Sequence, residues 1–162
     1  MNTPSPAAAD KAFEPEFVAG LTRLFEERIV FNKVLGLKLI ELTGERVRCR
    51  IDMREELIGH FQHQRLHGGV ISATLDACGG MAVMAAIGAR HMTEAPEQRL
   101  ARFLKLGTID LRVDYLRPGL GEHFIASAEV MRLGSRVAST RMAFHGADGS
   151  LLSTGAAAYI VS

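Results

Sequence analysis

The most chemically distinctive segment of the sequence is a long apolar stretch that contains a single carboxylate. Between Gly68 and Ala89 nearly every residue is small or apolar, and Asp76 is the only charged side chain. Burying an unpaired carboxylate is costly, so such a residue is either neutralised by a partner or retained for chemistry. Asp76 therefore pairs with an arginine such as Arg112, caps neighbouring backbone, or acts as a functional carboxylate.

Two glycines stand at the start of this stretch, directly after His67. The first N–H groups of a helix have no partner inside the helix, and at Gly68 and Gly69 no side chain blocks access to them. Such amides, supported by the helix dipole, can stabilise negative charge that develops on a carbonyl oxygen. The alternative interpretation is that the glycines only permit close packing against a strand.

The distance between these two groups leads to a prediction about assembly. Gly68 and Asp76 are eight residues apart, which corresponds to about 12 Å along a helix. One thioester or ester carbon cannot reach both groups on one chain. If both serve one reaction, they come from two subunits whose helices lie side by side about a two-fold axis, and Gly79-Gly80 would allow that approach.

The elements around the apolar helix are predicted from the period of the apolar residues. Helical spacing predicts one amphipathic helix over Glu16–Leu35. Arg54–Leu66 has no period and is predicted as a loop, and Arg90–Leu104 as a connector that forms a short helical lid or shields the sheet edge. Two-residue alternation predicts six strands joined largely by short turns: Leu37–Leu42, Arg46–Met53, Thr108–Leu116, His123–Leu133, Val137–His145 and Leu151–Val161. This order predicts an α+β fold with an antiparallel sheet.

Length and charge limit the possible classes of protein. The 162 residues suit one domain, expected over 15–162, after a disordered tail over 1–14. With a net charge of only +1, the chain has no overall positive potential that would attract nucleic acid. The amino terminus lacks a basic start and an apolar run, so we expect a cytoplasmic protein. A membrane span is not expected, because Asp76 and six strands that need a core argue against it.

Two groups of residues outside the apolar helix have alternative interpretations. His60, His63 and His67 could suggest a metal, but no cysteine accompanies them, so we expect no metal site. Cys49 and Cys78 are predicted to be inert buried thiols, since both fall among apolar neighbours.

The segment Leu66–Asp76, followed by Gly79-Gly80, resembles the signature of hotdog-fold acyl-CoA thioesterases of the phenylacetate-pathway type. Three later segments resemble the same family: Asp110–Pro118, Asp148–Leu151 and Gly155–Ala157. The resemblance implies a central helix wrapped by a six-stranded antiparallel sheet, here with an extra N-terminal helix. It also implies homodimers, and commonly dimers of dimers.

The resemblance also implies roles for individual residues. Gly68, with Gly69 in the same turn, would donate N–H to the oxyanion, and His67 would orient the turn. Asp76 would be the base or nucleophile that reaches the partner's site. The family carries an asparagine upstream of His-Gly-Gly, whereas this chain has His60, which would donate a hydrogen bond or protonate the departing thiolate. Alternatively, Gln62 takes that role or it is lost.

The implied substrate is an acyl-CoA. Coenzyme A is part of this substrate, and no separate cofactor is expected. Its phosphates would be held by Arg117, Gly134, Ser135 and Arg136, whose alternative role is a solvated sheet edge.

The predicted reaction is hydrolysis of medium- to long-chain, or aromatic, acyl-CoA at a dimer interface. Asp76 would activate water or form a mixed anhydride. The alternatives are a hotdog enoyl- or hydroxyacyl-thioester hydratase and a non-catalytic acyl-CoA sensor.

Overall fold

The computed structural model describes residues 12–162, so most of the predicted tail over 1–14 lies outside the described residues. The last part of that tail packs with the domain. The ring of Phe13 lies 5.0 Å from that of Phe17, centroid to centroid. The carboxylate of Glu14 pairs with Arg99 at 2.6 Å.

Six of the strands form one antiparallel sheet in the order β1-β2-β6-β7-β8-β5. Their bounds are β1 Lys38–Leu42, β2 Arg46–Asp52, β5 Gly107–Tyr115, β6 His123–Leu133, β7 Val137–Gly146 and β8 Leu151–Ile160. The predicted loop over Arg54–Leu66 contains more structure than expected, since β3 (Ile58–His60) and β4 (Arg65–Leu66) form a small separate hairpin. Strand β5 lies at one end of the main sheet, with one edge unpaired by any of residues 12–162.

The sheet wraps around helix α3 (Gly68–Arg90), which confirms the predicted hotdog arrangement. The helix and the sheet approach closely because small residues line their contact. A Cβ at Gly155 of β8 would lie only 3.4 Å from Leu75 of the helix. Among residues 12–162, α3 is the only helix long and apolar enough to cross a membrane, and 67% of its most apolar stretch is buried in the domain.

The predicted single helix over Glu16–Leu35 is wrong in one respect, because the structure breaks it. Helix α1 (Pro15–Arg23) runs into a π-helical turn and stops at Ile29, whose backbone is extended, and α2 (Val30–Leu35) then begins. The buried Asn32 amide donates to the carbonyl of Phe25 across this break at 3.0 Å. This bond satisfies one of the carbonyls at the helix end.

A buried arginine joins the N-terminal segment to the far end of α3. Arg99 lies on α4 (Pro96–Ala101), the short helix within the predicted connector. Its side chain is fully buried, lies 4.2 Å above the Phe17 ring and donates to Glu14. The hydrogen bond from Arg99 holds the pKa of Glu14 below its usual value.

Gly79 and Gly80 have a different role from the predicted one. Both are buried against this chain's own sheet rather than lying on an open helix face. A Cβ at Gly79 would lie 2.7 Å from the Met142 sulfur and would overlap the hydroxyl of Tyr159. A Cβ at Gly80 would meet Leu106 at an ordinary 3.6 Å. Gly79 therefore makes room for Tyr159.

This difference predicts opposite effects of the same substitution at adjacent positions. Gly79→Ala overpacks the contact with Tyr159 and Met142 and should lower the free energy of unfolding by about 1–3 kcal/mol. Gly80→Ala is the matched control, and it should raise that free energy by up to about 1 kcal/mol because alanine favours helix. Urea unfolding measures both. Equal effects of the two substitutions would contradict this packing.

Candidate active site

The first turn of α3 is capped by the histidine that precedes it. Nδ1 of His67 accepts a hydrogen bond from the Gly69 N–H at 2.9 Å. An accepting Nδ1 requires the neutral ring with its proton on Nε2. The cap therefore fixes the turn and occupies the Gly69 amide, so of the two glycine amides predicted to be open, this one is engaged.

The amide of Gly68 differs from that of Gly69 in its hydrogen bonding. Within residues 12–162 its N–H donates no hydrogen bond. Its carbonyl accepts from the Tyr115 hydroxyl at 2.9 Å, and a Cβ at position 68 would lie 3.3 Å from the Tyr115 ring. The glycine thus lets an aromatic ring cover one side of the turn. An open pocket of about 360 Å³ adjoins it, with Arg65 and Arg117 in its lining.

The carboxylate of Asp76 lies two turns further along α3, half-buried between the helix and the sheet. Its Oδ1 accepts from the hydroxyl of Thr108 at 2.9 Å and lies 3.2 Å from the hydroxyl of Tyr159. The predicted alternative of an ion pair with Arg112 does not occur, because that guanidinium pairs with Asp114 at 3.1 Å. Within the described part of the chain, Asp76 forms no salt bridge.

Tyr159 remains a hydrogen-bond donor at this position. Its burial raises the pKa of the phenol well above the usual value, and the negative charge of Asp76 raises it further. The hydroxyl therefore keeps its proton throughout the range in which enzymes work.

Gly68 and Asp76 are linked to opposite ends of the edge strand. Tyr115, which bonds the Gly68 carbonyl, is the last residue of β5, and Thr108, which bonds Asp76, is the second. Eight residues of helix separate the two groups by about 12 Å. Within one chain, the Gly68 amide and the Asp76 carboxylate are therefore too far apart to act on the same thioester carbon.

His60 lies on the β3–β4 hairpin, close to the start of α3. At Gly59 the hairpin packs so tightly on His67 that a Cβ there would lie 2.7 Å from the His67 Cα. The His60 ring is exposed, lies 4.7 Å from the ring of His63, and makes no hydrogen bond with any of residues 12–162. Among these residues, no three metal-ligating side chains are grouped to hold an ion.

The family model of the thioesterase superfamily matches residues 63–153, which include both Gly68 and Asp76. The chain belongs to the thioesterase superfamily. The predicted family and the predicted thioester hydrolase are thereby confirmed.

Individual relatives agree with this assignment. The chain is 34% identical over 138 residues to the medium/long-chain acyl-CoA thioesterase YigI of Escherichia coli, covering 85% of this chain and 89% of the relative. A Shewanella oneidensis protein related to the superfamily is 36% identical, with a TM-score of 0.84 and coverage of 93% and 100%. A candidate thioesterase from Syntrophus aciditrophicus is 34% identical, with a TM-score of 0.78 and coverage of 90% and 95%.

The residues predicted to hold coenzyme A are not together in one chain of this thioesterase-superfamily fold. Gly134 and Ser135 line a pocket of about 230 Å³ whose lining also includes four basic side chains: Arg90, His91, Arg102 and Lys105. Arg117 lies beside Gly68 instead, where it donates to the Leu151 carbonyl at 2.8 Å. The Arg136 carbonyl accepts from the Val161 N–H at 2.9 Å.

The predicted burial of the two thiols is confirmed. Cys49 on β2 and Cys78 on α3 are both fully buried. The neighbouring Cys49 thiol and burial raise the pKa of Cys78. A thiol held protonated in this way is a poor nucleophile.

Three hydroxyl-bearing residues of the site are missing from the sequence-based prediction: Thr108, Tyr115 and Tyr159. Alternation along β8 places Tyr159 on the same face as Ala157, towards the helix. That pattern predicts burial, but not which helix residue the hydroxyl meets. The remaining signal is Gly79, because a glycine in a buried helix can mark the place where a large side chain fits.

Proposed function

We propose that this protein hydrolyses medium- to long-chain acyl-CoA to the free acid and coenzyme A. The observation that carries the proposal is that, within residues 12–162, the Gly68 amide donates no hydrogen bond and the Asp76 carboxylate has no cationic partner, in a member of the thioesterase superfamily. The name of the relative YigI, a medium/long-chain acyl-CoA thioesterase, supports the substrate class.

We further propose that each active site combines the Gly68 amide of one subunit with Asp76 of another. The free edge of β5 supports this, because an unpaired strand can pair with a copy of itself. A bulge between Thr108 and Asp110 leaves six steps of the ladder between Thr108 and Tyr115, so their midpoint falls at Arg112. Antiparallel pairing centred there would set Thr108 opposite the partner's Tyr115, and hence Asp76 beside the partner's Gly68. Dimers of dimers, which the family resemblance implies, remain part of the proposal.

The reaction follows from these two groups. The Gly68 N–H binds the thioester carbonyl oxygen, which becomes an oxyanion when the carbonyl carbon is attacked. Asp76 either takes a proton from the attacking water or attacks through a carboxylate oxygen to form a mixed anhydride that water then cleaves. In both routes the carbon–sulfur bond breaks, and coenzyme A leaves as a thiolate that is then protonated. His60 is near enough to the turn to be the proposed donor to that thiolate.

The same pairing of β5 would place the residues proposed to hold coenzyme A at one end of the joined sheet. Gly107 at the start of β5 pairs with Ile160, and the next residue, Val161, bonds Arg136 in the turn between β6 and β7. With the two-fold axis at Arg112, Arg117 would lie at the same end of the joined sheet as this turn, with the partner's β5 and β8 between them. Guanidinium groups and turn amides suit phosphate. In the pocket beside Gly134, Arg90 and Lys105 would add to the attraction, whereas Arg102 is already paired with Glu94.

The hydratase alternative is less well supported by the site. Hydratases of this fold use a carboxylate paired with a histidine, as the family resemblance implies, whereas Asp76 is bonded by the hydroxyls of Thr108 and Tyr159. The sensor alternative remains an outcome of the experiment below.

The proposal predicts that two single substitutions strongly lower the rate of hydrolysis without unfolding the protein. Asp76→Asn should lower kcat by about 10²- to 10⁴-fold. Gly68→Pro removes the N–H and also adds a Cβ close to Tyr115, which the Gly68→Ala control shares, and it should lower kcat by about 10²- to 10³-fold. Proline is favoured at the first position of a helix, and the extended backbone of His67 suits a following proline.

Two controls accompany this experiment, in which release of coenzyme A is followed with a thiol reagent. Gly68→Ala keeps the N–H and should retain far more activity than Gly68→Pro. Asp52→Asn removes an exposed carboxylate on β2 and should leave kcat unchanged. Near-normal hydrolysis by folded Asp76→Asn would refute the proposed site. Tight binding of acyl-CoA without turnover by the unaltered protein would indicate a sensor.

The proposed substrate class predicts a dependence on chain length. Each buried methylene contributes about 0.8 kcal/mol, so kcat/KM should rise by about fourfold per methylene from acetyl-CoA upward until the acyl site is filled. A panel of straight-chain acyl-CoAs, with phenylacetyl-CoA for comparison, measures this rise. A flat profile, or a maximum at phenylacetyl-CoA, would contradict the proposed preference.

A further inference from the structure

The two oxygens of the Asp76 carboxylate have different surroundings. Oδ1 accepts from the Thr108 hydroxyl at 2.9 Å and has the Tyr159 hydroxyl at 3.2 Å. Within residues 12–162, Oδ2 takes part in no hydrogen bond. One oxygen is thus held by two elements of the sheet while the other remains free to act.

We propose that Thr108 and Tyr159 are positioning residues, which hold Asp76 through Oδ1 and so present Oδ2 to the thioester or to the attacking water. This inference rests on the proposed function, since it assigns roles that matter only if Asp76 does the chemistry.

The location of the two hydroxyls supports a positioning role. Thr108 lies on the edge strand β5, whereas Tyr159 lies on β8, which is the neighbour of β5 in the sheet. Two donors from adjacent strands converge on one atom of a side chain with only two rotatable bonds. Such convergence restricts the side chain to one rotamer, and reaction rates depend steeply on the placement of the attacking group.

Tyr159 has a competing structural role, because its hydroxyl also lies 3.0 Å from the main-chain carbonyl of Asp76. The phenol has one proton to share between these two acceptors. A charged carboxylate is the stronger acceptor, and the carbonyl lies within a helix where it is bonded along the chain. The two roles predict different results. If the hydroxyl only stabilises the helix, its removal should lower the free energy of unfolding. If it positions the carboxylate, its removal should lower kcat.

The surroundings of Tyr159 suit a fixed donor. Its ring is almost fully buried, its hydroxyl fits where Gly79 has no side chain, and the hydroxyl of Thr140 lies beside it. Tyr159→Phe would remove one oxygen atom and keep the packing of the ring. This substitution therefore isolates the hydrogen bond from the volume of the side chain.

The test measures kcat, KM and the free energy of unfolding of single variants in the full-length protein. Tyr159→Phe and Thr108→Val should each lower kcat by roughly ten- to hundredfold, while KM changes by less than about threefold. Thr108→Ser restores a hydroxyl at the same place and should recover most of the kcat lost in Thr108→Val. In the double variant, the fold decrease in kcat should be smaller than the product of the two single decreases, since both donors hold the same carboxylate oxygen.

Three outcomes would overturn the inference while leaving the proposed function intact. The first is a kcat within twofold of that of the unaltered protein in both single variants. The second is a decrease in the free energy of unfolding with no decrease in kcat. The third is a kcat of Thr108→Ser that is no higher than that of Thr108→Val. Failure of the proposed function is distinguished by Asp76→Asn. If that variant turns over normally, the carboxylate has no role to support. If it is inactive while Tyr159→Phe and Thr108→Val are normal, only the positioning role is wrong.

Discussion

The partial burial of a carboxylate that no cation among residues 12–162 neutralises is the constraint on which the rest of the structure depends. Asp76 is half-buried on α3, and the sheet supplies hydroxyl groups to it rather than a cation. An arginine at this place would neutralise the charge and reduce its reactivity, whereas neutral donors stabilise the carboxylate and leave an oxygen available. Gly79 belongs to the same arrangement, because it makes room for Tyr159.

The second constraint is the geometry of helix and strand. The helix separates Gly68 from Asp76 by about 12 Å, and β5 carries a partner for each group at its opposite ends. A free edge strand usually invites uncontrolled pairing. Here the proposed pairing of β5 with its copy would use this edge and assemble the reaction centre at the same time. Proposed catalysis and proposed dimerisation thus depend on one strand.

The sequence predicts those features that leave a periodic or compositional signature. Alternation along the strands gives the six-stranded sheet, and the apolar run with one aspartate gives both α3 and Asp76. The break at Ile29 is not predictable in this way, since it depends on the Asn32 amide reaching the Phe25 carbonyl. The contact between Tyr159 and Asp76 joins residues 83 positions apart, which no local pattern records. The engaged amide of Gly69 likewise depends on the orientation of the His67 ring.

The central claim is that each site takes its amide from one chain and its carboxylate from another. The most direct measurement uses mixed dimers of Gly68→Pro and Asp76→Asn chains, isolated by co-expression with two different affinity tags. Each homodimer lacks one group in both of its sites. In the mixed dimer, one site regains both groups and the other loses both, so activity should return to about half that of the unaltered dimer. Mixed dimers that stay as inactive as the two parent variants would show that both groups come from the same chain and would contradict the account.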